Sequence, residues 1–436
     1  MKRTAYSELL AWKVSKNRKP LILYGARQVG KTWLLSEFGK NEYETTIYIN
    51  FDKDLGAHKY FEGNLSPEYI IAGLEDYSQK KIVPGETLII FDEIQESQRA
   101  KDSLKYFNED APQYHVTAAG SFLGIAGGKF PVGQVDEITL RPMSFYEFLQ
   151  ATGNDILLKN IKSLDKAMFD TISITAEPKL KEYMYVGGMP AAVKAFIESG
   201  NFHETRKEQE QILNNYKEDF SRHIKGTDIP KVRMIWDSIP LHLSKEKKKF
   251  MYKEIKTGAR AAAYENALDW LVNTGLVYKV GRTNVAKLPI AAYADREAFK
   301  IYMLDTGLLA AASGLDITTF YNPDPLVFKE FKGAITEQFV LQELKTLGSI
   351  PIFYWGRDEG KNEVDFVVQW RNEIVPIEVK SGIRTKSKSL DIYRDIYRPA
   401  HAVRTTLKGF GKKGGLYSLP LYMIASFADM LADENK

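Results

Sequence analysis

A glycine-rich octet constrains this chain more than any other feature. It reads Gly-Ala-Arg-Gln-Val-Gly-Lys-Thr over residues 25–32 and matches the pattern G-x-x-x-x-G-K-S/T. The octet follows the apolar run Leu21–Tyr24 and precedes a segment of helical pattern, which is the context this motif requires. Its glycines allow the backbone to curl, so that successive N–H groups point at phosphate oxygens beside a helix N-terminus. The octet therefore predicts a nucleotide-phosphate site.

Every position of this octet is a candidate ATP ligand, and two of its side chains have distinct roles. Lys31 places a cation on the β- and γ-phosphates, and the Thr32 hydroxyl is suited to Mg²⁺. The predicted ATP-binding residues are Gly25, Ala26, Arg27, Gln28, Val29, Gly30, Lys31 and Thr32.

The second element of such a site is the apolar run Leu88–Phe91, which ends in two acids. A buried strand of this kind delivers Asp92 to the Mg²⁺ shell and Glu93 to the attacking water. Two acids after a strand are by themselves common at solvated strand ends. Their combination with the octet predicts ATP and Mg²⁺ as cofactors and ATP hydrolysis as the reaction, with Lys31, Asp92 and Glu93 as catalytic residues.

A third element of the predicted ATPase site has less support from the sequence. Ser121 follows a weaker apolar run, Val116–Ala119, where its hydroxyl is placed to sense the γ-phosphate. It is equally a turn residue after a glycine, and both interpretations stay open. The sequence assigns no arginine finger, since the two candidates, Arg99 and Arg141, are also interpretable as surface cations.

The composition narrows the class of protein. A length of 436 residues predicts about three domains, and 44% hydrophobic with 27% charged residues is a soluble globular balance. The absence of cysteine excludes disulfides, cysteine zinc sites, iron–sulfur clusters and thiol catalysis. The basic start has no apolar run after it, and no run approaches the ~20 residues that span a bilayer. We therefore expect a cytoplasmic protein that has no membrane partner.

The order of apolar patterns predicts a different architecture for each third of the chain. Residues 1–165 alternate strands and helices, as in a P-loop NTPase domain of α/β class with a parallel sheet. Residues 166–325 are mainly helical, and a helix at Ala261–Thr274, then Gly275 and a strand at Leu276–Val280, suits a winged-helix unit. Residues 326–436 return to a mixed α/β pattern.

Two strands near the C-terminus carry an acid–lysine pattern. Asp365 lies on a predicted strand at Val364–Val368, and Glu378 and Lys380 lie on or just after the next. This is the pattern of PD-(D/E)xK nucleases and predicts a restriction-endonuclease-like domain. Residues two apart on a strand share a face, so two carboxylates can hold Mg²⁺ while the lysine orients water. Glu337 on the preceding helix resembles the additional acid of such folds. A charged hairpin face and a nuclease fold retained only for binding are the alternatives.

The net charge of +4, from 60 basic and 56 acidic residues, conceals a strongly basic region near the C-terminus. Its cations are Lys380, Arg384, Lys386, Lys388, Arg394, Arg398, Arg404, Lys408, Lys412 and Lys413. Aromatic residues between them, Tyr393, Tyr397 and Phe410, are candidates for stacking on bases. A second basic cluster comprises Lys245, Lys247, Lys248, Lys249 and Lys253. These clusters predict phosphate contact with DNA, and the alternative is a solvated face.

Several of these motifs, taken together, are specific to one family. They are the octet, Phe91-Asp92-Glu93-Ile94-Gln95, Gly120-Ser121, Arg141-Pro142-Met143-Ser144-Phe145-Tyr146-Glu147-Phe148, Gly187-Gly188-Met189-Pro190 and Glu363-Val364-Asp365-Phe366. With them the chain resembles the bacterial and archaeal AAA-type ATPases that pair an AAA_14-like N-terminal domain with a C-terminal DUF4143 region. The resemblance implies an oligomer-prone ATPase, so a homo-oligomer is an expected assembly.

The chain departs from this family in two places. Gly133-Gln134 stands where the family usually has Gly-Arg, and Ala118-Ala119-Gly120-Ser121 stands for Leu-Thr-Gly-Ser. The leading hypothesis is an Mg-ATP-hydrolysing ATPase coupled to a DNA-contacting, nuclease-like domain. The alternative is a nucleotide-gated regulatory protein that has no nuclease activity and acts on a protein partner.

Overall fold

The computed structural model describes residues 1–121, 133–163, 168–224, 226–245, 248–322, 329–357, 362–382, 387–407 and 409–433. The chain forms two compact units. The first comprises Met1–Arg141 with Asn273–Leu276, and the second comprises Pro142–Val272 with Val277–Lys436. The division into three domains at 165 and 325 stays a prediction, and these boundaries do not coincide with the limits of the two units.

The first unit is an α/β structure. Its helices are α1 Ala5–Val14, α2 Lys31–Glu42, α3 Lys59–Glu62, α4 Pro67–Ser78 and α5 Gln98–Asp110. Its strands are β1 Leu21–Gly25, β2 Thr45–Asn50, β3 Thr87–Asp92, β4 His115–Ser121 and β5 Asp136–Thr139. Among the described residues, these strands pair in parallel in the order β2-β3-β4-β1-β5.

The burial of each strand explains which of them the sequence predicts. Every residue of β1, β3 and β4 is buried, as expected for central strands with both faces covered. The three apolar runs that the sequence analysis names, Leu21–Tyr24, Leu88–Phe91 and Val116–Ala119, are therefore confirmed as β1, β3 and β4. The sequence does not predict β5, because this four-residue edge strand has a single buried residue, Ile138, among polar neighbours.

The second unit begins with helices and ends with a mixed sheet. Its helices are α6 Phe145–Ala151, α7 Asp155–Lys162, α8 Phe169–Val186, α9 Pro190–Ser199, α10 Phe202–His223, α11 Ile229–Ser244, α12 Ala261–Asn273, α13 Thr306–Ala312, α14 Ile317–Tyr321, α15 Lys329–Lys345, α16 Lys388–Tyr397 and α17 Phe427–Asp433. Its strands are β6 Val277–Thr283, β7 Ala294–Met303, β8 Ile352–Gly356, β9 Glu363–Trp370, β10 Glu373–Glu378, β11 Ala402–Thr406, β12 Gly411–Lys413 and β13 Leu416–Pro420.

One sheet joins all the strands of the second unit, in the order β12-β13-β11-β10-β9-β8-β6-β7 within the described residues. The neighbouring pairs β8–β9 and β9–β10 are antiparallel, whereas β10–β11 and β6–β8 are parallel. The predicted helix, glycine and strand are present as α12, Gly275 with φ of +71°, and β6. Because β6 continues the sheet that contains β8, a separate winged-helix unit stays a prediction.

The Gly187–Pro190 motif connects the end of α8 to the start of α9. Gly187 has a φ of +75°, and the Gly188 N–H donates to Asp305 Oδ2 at 2.6 Å. A Cβ on Gly188 would lie 2.0 Å from the carbonyl oxygen of Met143. The second glycine is therefore required by the close approach of two backbone segments.

Candidate functional site

The predicted phosphate loop connects β1 to α2 in the first unit. A Cβ on Gly25 would lie 2.3 Å from the carbonyl oxygen of Leu140, so the loop must start with a glycine. Gln28 and Gly30 have φ values of +65° and +94°, which curl the backbone immediately before α2 begins at Lys31. The free N–H groups and positive end of a helix therefore lie at the end of a curled loop, an arrangement that favours an anion.

Lys31 is buried, and its ammonium is held by the loop itself. Its Nζ donates to the carbonyl oxygens of Gly25 at 3.0 Å and Ala26 at 2.9 Å. Burial lowers the pKa of Lys31 to about 8, an effect that the charges of Glu93 and Asp92 partly oppose. The ammonium is therefore shielded from water, and an anionic phosphate beside it would stabilise its charge.

Thr32 and Asp92, the two predicted magnesium ligands, are in direct contact. The Thr32 hydroxyl donates to Asp92 Oδ2 at 2.8 Å, and Asp92 is 2% exposed at the end of β3. The other carboxylate oxygen, Oδ1, accepts the Glu93 N–H at 3.0 Å. A hydroxyl and a carboxylate are hard oxygen donors that fit Mg²⁺, so the residues present suit the expected ion.

Asp92 has one further contact that the sequence does not predict. The Tyr48 hydroxyl donates to Asp92 Oδ2 at 2.7 Å, and the Asn50 side chain lies 3.2 Å from the Tyr48 hydroxyl oxygen. Both residues are on β2, where residues two apart share a face, and Asn50 pairs with Asp92 in register. Polar residues at alternating positions of the Thr45–Asn50 strand are the signal that identifies them.

Glu93, the predicted base, follows β3 in a left-handed conformation with φ of +50°. This conformation is uncommon for a residue other than glycine and is favoured at functional sites. Its carboxylate accepts a hydrogen bond from the Gln95 side-chain amide. Glu93 is thus oriented by its own turn and by a neighbouring amide.

Ser121 is the last residue of β4 and pairs in register with Gly25 at the start of the loop. It is 2% exposed, and its hydroxyl has no hydrogen-bond partner in the described part of the chain. A buried hydroxyl without a partner is costly, which favours a role for it in contact with a ligand. Because Ser121 lies within β4, the structure does not support the interpretation of Ser121 as a turn residue.

The arginine-finger candidates remain unassigned. Arg99 donates through Nε to the carbonyl oxygen of Phe61 at 2.9 Å and through Nη2 to that of Glu62 at 3.2 Å. This side chain is therefore engaged with the end of α3. The backbone carbonyl of Arg141 accepts a hydrogen bond from Arg3 Nη2 at 2.6 Å, a contact that does not involve the Arg141 guanidinium.

In the second unit, Asp365 and Glu378 lie opposite each other on β9 and β10. The antiparallel register ends at the pair of Phe366 with Ile377, and Asp365 and Glu378 are the next residues of the two strands. Asp365 Oδ2 accepts the Val379 N–H at 2.7 Å. Lys380 Nζ lies 2.5 Å from Glu378 Oε1. The structure thus brings the predicted pair of acids and the predicted lysine together.

Asp365, Glu378 and Lys380 form a carboxylate–lysine cluster, and Glu337 on α15 joins it through partners that the sequence does not predict. Its carboxylate is paired with Lys248, lies 3.8 Å from Lys300 Nζ and accepts from the Tyr302 hydroxyl at 3.1 Å. Lys300, which is 1% exposed, also pairs with Glu363 at 2.5 Å. These residues come from segments distant in sequence, so no local pattern connects them.

Burial governs the electrostatics of the carboxylate–lysine cluster. Burial, followed by the charges of Glu337 and Glu378, raises the pKa of Asp365 well above its ordinary range. Glu378 Oε2 is buried and has no hydrogen-bond partner in the described residues. Within the described ranges, no group of three carboxylate or imidazole side chains is arranged to hold a metal ion. Metal binding by Asp365 and Glu378 therefore stays a prediction.

Several residues assigned to DNA contact have other surroundings. Tyr393 is fully buried against Trp355 at a ring-centroid distance of 5.3 Å, so its prediction as a stacking residue is wrong. Lys248 is paired with Glu337, and Lys245 lies 2.6 Å from Glu254. Four of the predicted cations lie outside the described residues, namely Lys247, Arg384, Lys386 and Lys408.

Three family models match different parts of the chain. Residues 17–149 match the family described as AAA domain (AAA_14), and residues 332–424 match a domain of unknown function, DUF4143. These two matches confirm both parts of the resemblance that the motifs predict. Residues 177–319 match a further domain of unknown function, DUF8612.

Solved structures show a partial likeness. The Walker-type ATPase PABY2304 of Pyrococcus abyssi is 15% identical, with a TM-score of 0.43 over 71% of this chain and 95% of that chain. The Orc1 protein of Aeropyrum pernix, in complex with DNA, is 13% identical, with a TM-score of 0.30 over 72% of this chain and 93% of that chain. At these TM-scores, neither likeness supports a conclusion about this chain.

No curated protein matches the sequence. In the part of the chain that the structure describes, every helix is too short or too polar to cross a bilayer.

Proposed function

We propose that this chain binds Mg-ATP at the phosphate loop of its first unit and hydrolyses it. The observation that carries the proposal is the contact of the Thr32 hydroxyl with Asp92 at 2.8 Å, beside a loop whose lysine is buried. The match of residues 17–149 to the AAA domain supports the same activity.

Each side chain of the site has a role in this reaction. The Lys31 ammonium exchanges its bonds to the loop carbonyls for bonds to the β- and γ-phosphates. Thr32 and Asp92 would hold Mg²⁺, which neutralises negative charge on the phosphates when it is bound. The Glu93 carboxylate accepts a proton from the attacking water, and the unpartnered Ser121 hydroxyl donates to the γ-phosphate.

Substitution of Lys31 tests the assignment. We expect Lys31→Ala to abolish ATP-dependent phosphate release and to leave the circular dichroism spectrum unchanged. Lys40→Ala is the matched control, because Lys40 lies on the same helix with an exposed side chain. Phosphate release that persists in Lys31→Ala at the rate of the control would refute the site.

We infer a second activity, phosphodiester hydrolysis, as a candidate for the carboxylate–lysine cluster. Asp365 and Glu378 face each other on adjacent strands, Lys380 contacts Glu378, and Glu378 Oε2 lacks a partner in the described residues. Two carboxylates and a lysine are the groups that metal-assisted hydrolysis requires. The ion pairs of Glu337 with Lys248 and Lys300 favour the alternative, a cluster that binds or regulates without cleaving.

Supercoiled plasmid distinguishes these alternatives. Wild type, Asp365→Asn and Asp391→Asn are incubated with plasmid, Mg²⁺ and ATP, and the last is a control because Asp391 is exposed on α16. Cleavage by wild type and the control but not by Asp365→Asn supports the nuclease. Absence of cleavage by all three, with ATP turnover intact, supports a regulatory protein.

DNA contact and self-association are tested separately. If the basic region near the C-terminus binds DNA, its affinity should fall steeply with salt concentration, because each phosphate contact releases counterions. A flat salt response would instead favour a protein partner. Light scattering with and without Mg-ATP measures whether the proposed ATPase forms a homo-oligomer.

A further inference from the structure

Arg3 is a buried cation beside the phosphate loop, and the reaction described above does not use it. Only 7% of this residue is exposed, and its Nη1 donates to the carbonyl oxygen of Val29 at 2.9 Å. Val29 is the fifth residue of the loop and immediately precedes Gly30. The match to the AAA domain begins only at residue 17, so Arg3 lies outside it. A side chain from outside the matched domain therefore contacts the loop directly.

The second bond of the guanidinium reaches a segment that lies against the start of the loop. Arg3 Nη2 donates to the carbonyl oxygen of Arg141 at 2.6 Å. The residue before it, Leu140, donates its N–H to the Tyr24 carbonyl at 2.7 Å. The Leu140 carbonyl oxygen would lie 2.3 Å from a Cβ on Gly25. This segment thus abuts the first residue of the loop, and the guanidinium ties the fifth residue of the loop to the same segment.

Helix α1 holds Arg3 in place. The Tyr6 N–H donates to the Arg3 carbonyl at 3.0 Å, which joins Arg3 to the first turn of the helix. Tyr6 and Trp12 contact Phe38 of α2, with ring-centroid distances of 5.6 and 6.5 Å. Because α2 begins where the loop ends, a helix packed against α2 fixes Arg3 relative to the loop.

The position of Arg3 determines the direction of one N–H group of the loop. In a planar trans peptide, the carbonyl and the following N–H point in opposite directions. The Val29 carbonyl points at the buried guanidinium, so the Gly30 N–H points away from the buried side of the loop. A positive charge at the carbonyl also polarises the peptide, which strengthens the hydrogen bond that its N–H donates. Arg3 therefore prepares the Gly30 N–H to bind an anion.

We propose that Arg3 is a positioning residue for nucleotide binding, and that its guanidinium orients the Val29–Gly30 peptide so that the Gly30 N–H donates to a nucleotide phosphate. This role rests on the proposed Mg-ATP site, and Arg3 acts through the loop backbone without touching the nucleotide. The phosphate receives this bond in the substrate and in the transition state alike. Loss of Arg3 therefore weakens ATP binding and changes the chemical step little.

Steady-state ATP turnover by Arg3→Met tests the proposal. Methionine keeps an unbranched apolar stem and removes both donors. We expect the KM for ATP to rise about tenfold, because a hydrogen bond that involves a charged group is lost, and kcat to stay within about twofold. Lys2→Met is the matched control with a wild-type KM, since Lys2 is the neighbouring cation and is exposed.

The two kinetic constants separate positioning from a role in folding alone. A role in folding alone reduces the amount of active protein, so the apparent kcat falls and the KM stays the same. A wild-type KM in Arg3→Met, whether or not kcat falls, would overturn the proposal. Arg3→Lys provides the test if Arg3→Met does not fold, because one ammonium cannot bond both carbonyls as the guanidinium fork does. We expect its KM to rise about threefold, and a wild-type KM in folded Arg3→Lys would overturn the proposal.

Calorimetric titration with Mg-ADP distinguishes a failure of this proposal from a failure of the proposed ATPase. If wild type binds Mg-ADP and does not hydrolyse ATP, the hydrolysis is refuted, and Arg3→Met should still bind Mg-ADP about tenfold more weakly. Equal Mg-ADP affinity in folded wild type and Arg3→Met would overturn the role of Arg3 and leave the nucleotide site intact. Absence of Mg-ADP and Mg-ATP binding by folded wild type would overturn both.

Discussion

Because the pKa of Lys31 is depressed to about 8, we expect the affinity for nucleotide to fall as the pH rises above 8. Burial lowers this pKa from 10.5 to about 8 in the free protein, whereas a bound phosphate requires the charged ammonium. Below pH 8 the lysine is charged both before and after binding, so affinity does not change with its titration. Above pH 8 the free protein has lost the proton, and nucleotide binding must restore it.

The size of this effect can be worked out from the pKa. The difference between 10.5 and about 8 corresponds to roughly 3 kcal/mol that favours the neutral lysine in the free protein. Above pH 8, each pH unit is expected to weaken Mg-ATP binding by about tenfold, because one proton is taken up per nucleotide. Between pH 7 and pH 9.5 the dissociation constant should therefore increase by about 30-fold.

Isothermal titration at several pH values, in two buffers with different ionisation enthalpies, measures both affinity and proton uptake. Uptake should approach one proton per nucleotide at pH 9.5. Lys31→Arg provides the control, since a guanidinium remains charged throughout this range and its affinity should not fall. A dissociation constant that is the same at pH 7 and pH 9.5 in folded wild-type protein, with no proton uptake, would refute the reasoning.

Three further changes have expected outcomes. Tyr48→Phe removes a donor to the Asp92 carboxylate, so we expect several-fold less Mg²⁺ to give half-maximal ATP turnover. Glu343→Gln tests a carboxyl whose pKa burial raises to about 8. Above about pH 4.5 the unfolded state loses a proton that the folded state retains, so the stability of the wild type falls as the pH rises from about 4.5 to 8. Relative to wild type, the variant should gain about 2–4 kcal/mol between pH 5 and pH 8 in urea unfolding. Gly188→Ala places a Cβ 2.0 Å from a backbone oxygen and should destabilise the protein by at least about 3 kcal/mol.

Each of these outcomes can be contradicted directly. A higher Mg²⁺ requirement in Tyr48→Phe would mean that the hydroxyl positions Asp92 rather than competing with the ion. A pH-independent difference for Glu343→Gln would show that this carboxyl has the same pKa in the folded and unfolded states. Gly226→Ala is the control for Gly188→Ala, because a Cβ at Gly226 has no atom within 4 Å among the described residues.

The sequence predicts the fold of the first unit well because the information it needs is local. The octet and the acids after Leu88–Phe91 are contiguous segments, and the buried central strands have uninterrupted apolar runs. Tyr48 was missed because its contact with Asp92 depends on strand order, which places β2 beside β3. Strand order is a long-range property that apolar periodicity does not contain.

The carboxylate–lysine cluster shows the same limit more strongly. Glu378 ends β10 and Lys380 follows two residues later, close enough for their side chains to meet. The hairpin of β9 and β10 brings Asp365 near them, so the local sequence predicts this group of three. Lys248 and Lys300 reach Glu337 from elsewhere in the chain. The sequence indicated a basic cluster around Lys248, but the pairing of that lysine with an acid depends on tertiary packing.

The buried polar side chains of α15 determine whether the C-terminal region can fold by itself. The DUF4143 match begins at residue 332, yet the partners of these side chains come from before that point. The contacts pair Glu337 with Lys248, Gln338 with the Met303 carbonyl, Gln342 with the Thr306 N–H and Glu343 with the Phe145 N–H. Each buried polar group left without its partner costs about 1–3 kcal/mol, and the total for four approaches the stability of a whole domain. A fragment that starts at residue 332 therefore lacks the groups that satisfy the buried polar side chains of its first helix. We expect this region to fold only together with the earlier segments that supply those groups.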